Sequence, residues 1–160
     1  MSWSDLFFIP EGRVGRKPFW LAVALLWVFG ALAHVLPLVG GILWVLSLYC
    51  WTCVLSKRLH DLGRTGWLQV APMALGIAGL ILGGLLVMAS ILGTAASGFI
   101  SDHLLLGLGT MIGGVWVGLG LLTVGITIHV VFLLWLGLSP GQTGDNRFGA
   151  PPSPLRTSAI

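Results

Sequence analysis

His60 and Asp61 stand side by side in the segment Lys57-Arg58-Leu59-His60-Asp61-Leu62-Gly63-Arg64-Thr65-Gly66-Trp67, the most polar stretch of the interior of the chain. A histidine next to a carboxylate has the makings of an acid–base pair. A hydrolase or transferase also needs a nucleophile, a metal or oxyanion donors close by. Thr65 is the only nearby hydroxyl, and the sequence holds neither a Gly-rich phosphate loop nor a zincin motif. No catalytic residue is assigned, and no enzyme activity is expected.

Arginine is the commoner chemistry here. Arg13, Arg16, Arg58, Arg64 and Arg147 carry planar forks of donors suited to phosphate, Asn146 adds an amide, and Asp61 can orient an arginine or His60. Together Arg13, Arg16, Arg58, His60, Asp61, Arg64, Asn146 and Arg147 form a candidate cluster for an anionic phospholipid headgroup or an acidic partner segment. The same residues suit a second role, fixing topology and tying loop to tail through ion pairs. The structural role is the preferred one.

The other reactive side chains are weaker candidates. His34, His103 and His129 have no metal-ligand spacing, so neither metal nor cofactor is expected. Cys50-Trp51-Thr52-Cys53 has the spacing of a redox pair but lies in an apolar run, where free cysteine behaves as a small hydrophobe. His129 falls well inside the last apolar segment, and an intramembrane ionisable group is a functional candidate by default. Thr123 and Thr127 are its candidate partners. With Ser47 and Thr52 they carry the alternative reading, an oligomeric small-solute channel or transporter. Against it, no intramembrane carboxylate is available to couple ions.

What must position these residues is a membrane. Of 160 residues 56% are hydrophobic and only 8% charged, where a soluble domain carries about 25%. Residues 18–56 contain no Lys, Arg, Asp or Glu, and between Thr65 and Gly144 the only charge is Asp102. An ionised side chain at the bilayer centre costs roughly 2.5–3.5 kcal/mol even on insertion scales, so neutral blocks of this length are spans. The first block would reach about 58 Å as one helix, against a hydrocarbon core of about 30 Å, and Pro37-Leu38-Val39-Gly40-Gly41 divides it. The reading is an all-α membrane protein forming a single integral-membrane domain over 1–160. Its four transmembrane helices lie near 18–36, 40–56, 67–92 and 115–138, with a loop at 57–66 and a tail at 139–160. Ser97 to His103 reads as an exposed turn, and residues 104–114 as irregular or as an extension of a tilted helix. Gly79 and Gly83 form a GxxxG pair that permits close helix approach.

In this arrangement every basic residue, from Arg13 to Arg156, falls on one side. Short loops bearing Lys and Arg stay inside, so both termini and the central loop are expected in the cytoplasm. Arg13, Arg16 and Lys17 before an apolar run ending in Ala31-Leu32-Ala33 also imitate a secretory signal, but retention as the first span is expected. The eight Trp residues suit interfacial belts and lipid packing, and the pI near 9.4 reflects the inner loops, so no nucleic acid is expected as a partner. The lipid bilayer is the expected partner, with a homo-oligomer or another membrane protein left open.

Three segments resemble a family, the domain-of-unknown-function family 805 of small bacterial inner-membrane proteins. They are Gly12-Arg13-Val14-Gly15-Arg16-Lys17-Pro18-Phe19-Trp20, the 57–67 loop, and Gly144-Asp145-Asn146-Arg147-Phe148-Gly149-Ala150-Pro151-Pro152. The loop is the most diagnostic. Pro18 departs from the usual helix-compatible polar residue, Ala150-Pro151-Pro152 lacks a common acidic residue, and the 91–114 stretch is longer than usual. The resemblance implies four spans in the bacterial inner (cytoplasmic) membrane and supplies no biochemical activity.

Overall fold

Among the described residues the apolar runs become α-helices, and some polar residues at their ends are helical too. The computed structural model describes residues 2–36, 39–98 and 104–152. In chain order the helices are α1 (Trp3–Phe8), α2 (Arg16–Val35), α3 (Gly40–Asp61), α4 (Val70–Gly98) and α5 (Leu104–Leu138), with a 3₁₀ turn at Gly66–Gln69 before α4. Four of them are long and apolar enough to cross a membrane, over Arg16–Val35, Gly40–Asp61, Gly66–Thr94 and Gly107–Leu138. Pro37 and Leu38 of the expected break lie outside the described residues. So do 99–103, with Asp102 and His103 of the expected turn, and the end of the tail from 153, with Arg156.

Three boundaries differ from the charge-based expectation. α4 runs to Gly98 instead of ending near 92, so Ser97 and Gly98 of the expected turn are helical. α3 continues through Asp61, so Lys57, Arg58 and His60 are helical rather than part of a loop. Charge marks where a helix leaves lipid, not where its hydrogen bonds stop. Residues 104–114 take the second of the two forms expected, since α5 is helical from Leu104 and runs for 35 residues. At about 1.5 Å per residue that is roughly 52 Å, well beyond a hydrocarbon core of about 30 Å.

The chain divides into two compact units, residues 1–69 with 133–160, and residues 70–132. In the first, α2 and α3 pack as a hairpin around a core of Phe19, Ala22, Leu26, Cys53, Val54 and Leu59. Pro18 falls in the first turn of α2, where its missing N–H is not needed. α1 is fastened to α3 by two bonds to its backbone: Lys57 Nζ donates to the Asp5 carbonyl, and Tyr49 Oη donates to the Phe8 carbonyl at 2.9 Å. Its N-terminus is closed by a capping box between Ser2 and Asp5. The Ser2 hydroxyl and then the Ser2 amide hold the Asp5 carboxyl below the usual carboxylate range.

The second unit is the antiparallel pair formed by α4 and the larger part of α5. Its side chains are mostly apolar, and Leu75, Ile77, Leu80, Ile81, Leu82 and Leu85 of α4 are exposed, the pattern of a helix that meets lipid rather than water. Glycines line the contact. A Cβ built on Gly79 would lie 3.1 Å from the Leu121 carbonyl, and one on Gly83 would lie 2.7 Å from that of Gly118. The GxxxG pair therefore faces a neighbouring helix, as small residues do where backbones approach. Replacing Gly83 by Leu should destabilise this pair by about 1–3 kcal/mol through overpacking. A detergent unfolding titration that gave the variant wild-type stability would contradict the packing.

Candidate functional site

The polar side chains gather where α3 ends, within the first unit. An α-helix leaves its last four carbonyls without intrahelical donors, and the partial negative charge there has to be met. Gly63 meets part of it for α3. Its φ of +70° lets the chain reverse, so that Gly63 N–H donates to the His60 carbonyl at 3.0 Å and Arg64 N–H to the Leu59 carbonyl at 2.8 Å. The Arg58 carbonyl accepts from Leu62 N–H, and the Asp61 carbonyl accepts from Gln142 N–H at 2.9 Å, which brings the C-terminal segment onto the end of α3.

Arg58 lies at the centre and is fully buried. Its Nε donates to the Leu136 carbonyl at 2.8 Å and its Nη2 to the Ser139 carbonyl at 2.6 Å. These are acceptors at the far end of α5, so a side chain of α3 caps the C-terminus of another helix. Nη1 reaches the Val14 carbonyl at 3.2 Å and Asp61 Oδ2 at 2.5 Å. Arg13 approaches Asp61 from the other side. Its Nε and Nη2 donate to Oδ1 at 3.2 and 3.0 Å, Nη2 also to the Gln142 carbonyl, and Nη1 to the carbonyls of Gly144 and Gly149. One carboxylate thus sits between two guanidiniums, and all three side chains are removed from solvent.

Two cations against one anion would be costly to bury if the excess charge were left alone. Here the remaining positive charge faces carbonyl oxygens from α5, from the 139–149 segment and from Val14. The planar guanidinium makes this possible, since its donors fan out in one plane toward several acceptors where an ammonium is a point charge. Gly141 is required by the same geometry: a Cβ there would run into the Asp61 carboxylate.

His60 and Asn146 fasten the periphery. His60 Nδ1 donates to the Gly12 carbonyl at 3.1 Å, and its ring stacks on Phe148 with centroids 3.9 Å apart. The guanidinium of Arg147 lies over the other ring of that pair, 4.6 Å from the Phe148 centroid. Asn146 Nδ2 donates to the His60 carbonyl at 2.9 Å and to Gln142 Oε1 at 2.8 Å, while Asn146 and Gly149 exchange backbone bonds across a tight turn.

Of the eight residues singled out in the sequence, Arg13, Arg58, Asp61, His60 and Asn146 meet in this network. Arg16, Arg64 and Arg147 are exposed around it, as is Lys17. His129 belongs elsewhere, half-buried in the second unit with its ring against Gly76. Thr123 and Thr127 turn their hydroxyls back to the carbonyls of Leu119 and Thr123 instead of toward it. Cys50 and Cys53 are buried free thiols. No cluster of three metal-ligating side chains occurs among the described residues. The sequence reading missed Ser139, Gly141 and Gly149, which act through backbone or through having no side chain, and Gln142, which acts through both its backbone and its side-chain amide. It also missed Phe148, whose aromatic signal was in the Asn-Arg-Phe-Gly segment.

The described residues form an all-helical protein with four helices long and apolar enough to cross a membrane, and its first unit holds a buried Arg–Asp–Arg clasp. The family model described as "Protein of unknown function (DUF805)" matches residues 7–150, and the chain belongs to that family. The matched region holds Arg13, Arg58 and Asp61 and the carbonyls that meet them. No curated protein and no solved structure matches the chain.

Removing one partner of a buried pair leaves the other uncompensated, which costs about 3–5 kcal/mol. Asp61→Asn should therefore lower the unfolding free energy by about that much, since two buried cations lose their only carboxylate. Gly141→Ala should also destabilise, by pushing the carboxylate off its donors. Thermal unfolding in detergent checks both, and wild-type midpoints would rule out the described geometry.

Proposed function

We propose that the chain is a multi-pass protein of the bacterial inner membrane with its termini and the turn after α3 in the cytoplasm. In this reading the Arg13–Asp61–Arg58 clasp is structural, and the exposed cations Arg16, Lys17, Arg64 and Arg147 engage anionic phospholipid headgroups. The observation that carries it is the division of labour among the cations: Arg13, Lys57 and Arg58 are buried with their donors turned to internal acceptors, and four are exposed. A guanidinium that already donates to carbonyls and a carboxylate has little left to offer a soluble anion. An exposed one keeps its fork free.

The orientation is supported by charge. Short basic loops remain on the cytoplasmic side, and anionic lipid in that leaflet attracts nearby Lys and Arg by about 1 kcal/mol each. The role is non-enzymatic, with no cofactor and no nucleic acid, and with the bilayer as first partner. An acidic protein segment competing for the same cations is an outcome the test can reveal. The channel or transporter reading gains no support, because the hydroxyls of Thr123 and Thr127 are satisfied by their own helix.

Two measurements test this. A reporter fused after Ile160 should be active only in the form that reads the cytoplasm; activity outside the cell would overturn the orientation. Glutamine at Arg16, Lys17, Arg64 and Arg147 together should abolish any preference for phosphatidylglycerol over phosphatidylcholine in native mass spectrometry. An undiminished preference in the folded variant would overturn the headgroup role.

A further inference from the structure

The clasp leaves unexplained why α1 is tied to α3 at two points. α1 covers a cavity of about 310 Å³ between itself, α2 and α3. Phe7 and Phe8 of α1, Leu25 and Phe29 of α2, and Leu46 and Cys50 of α3 line it. The lining is carbon with one thiol, and its size falls at the lower end of ligand pockets, about 300–1,000 Å³. The cavity opens sideways, since Phe8, Leu25 and Leu46 are all exposed at its rim.

Depth decides what can fill it. Leu25 and Phe29 lie about 14 and 20 Å along α2 from Arg16, at about 1.5 Å per residue. A single leaflet of a hydrocarbon core is about 15 Å deep. A side opening at that depth meets acyl chains, not water, and an apolar cavity of this kind offers water no hydrogen-bond partners. Charge is complementary at the headgroup end, where Arg16 and Lys17 open α2 and are exposed. The roof is built rather than incidental: the bonds from Lys57 to Asp5 and from Tyr49 to Phe8 hold α1 along α3.

We infer that this cavity is an acyl-chain site, which takes one tail of a bilayer phospholipid beneath α1. The inference rests on the membrane placement proposed above, but on tail contacts where that reading concerns headgroups. The lipid so held would be an integral part of the α1–α2–α3 packing, with Phe7, Phe29 and Leu46 against its methylenes and its phosphate at the level of Arg16 and Lys17.

The test uses phospholipids with a diazirine near the end of one acyl chain, in nanodiscs of phosphatidylglycerol or of phosphatidylcholine. The protein is washed into unlabelled detergent so that only retained lipid remains, then irradiated and mapped by peptide mass spectrometry. Adducts are expected on the peptides carrying residues 25–29 and 46–50 of the unaltered protein, with either headgroup. Leu25→Trp, or the milder Leu46→Phe, should fill the cavity and reduce those adducts to background. Leu85→Trp on the exposed face of α4 should leave them unchanged. Adducts absent from the cavity peptides with both lipids, or insensitive to both filling variants, overturn the acyl-chain site. A headgroup preference that persists in that case leaves the proposed function standing. Cavity adducts without any headgroup preference do the reverse.

Discussion

The C-terminus of α5 presents its last carbonyls to Arg58, which reaches them from the last turn of α3. Everything at the charged end of the first unit follows from that constraint. The C-terminus of α5 carries partial negative charge, and meeting it in a protein interior requires a cation with several directed donors. Arg58 supplies it from within α3, reaching the Leu136 and Ser139 carbonyls. Asp61, one turn further on, then balances Arg58 and in turn needs Arg13. The N-terminal strap and the C-terminal tail are held because their backbones supply the remaining acceptors.

A structure built this way uses charge economically. Seven of the eight basic residues lie among the described residues, and the folded state gives these different tasks. Arg13, Lys57 and Arg58 are buried and turned inward, Lys57 on α1 and the two arginines on the clasp. Arg16, Lys17, Arg64 and Arg147 stay at the surface. The same side-chain chemistry thus fixes the fold in one set and is free to meet phosphate in the other, and burial alone separates the two roles.

Much of this was legible in the sequence, for reasons that can be named. Neutral blocks of twenty or more residues announce spans because lipid tolerates few charges, and the four long helices appear where those blocks lie. Gly79 and Gly83 announced a close helix contact, and the contact is present. The three polar segments were readable as neighbours because they are all that a chain of this kind can hold outside lipid. What could not be read was the direction of each donor. Nothing in the types of Arg13 and Arg64 says that one is buried and the other exposed. The difference comes from backbone carbonyls of Gln142, Gly144 and Gly149, which no sequence pattern marks as acceptors. The donors expected around His129 were hard to read for a related reason. Its neighbours Thr123 and Thr127 looked like partners, but a threonine in an apolar helix satisfies itself on the carbonyl four residues back.

The central claim is that Arg13 and Asp61 act as one unit rather than as two independent polar residues. A double-mutant cycle with Arg13→Gln and Asp61→Asn, followed by unfolding in detergent, measures this directly. Residues sharing one buried network couple by about 0.5–3 kcal/mol, so the doubly substituted protein should lose less stability than the two single losses added together, by an amount in that range. Additivity within about 0.5 kcal/mol, the behaviour of distant sites, would contradict the clasp.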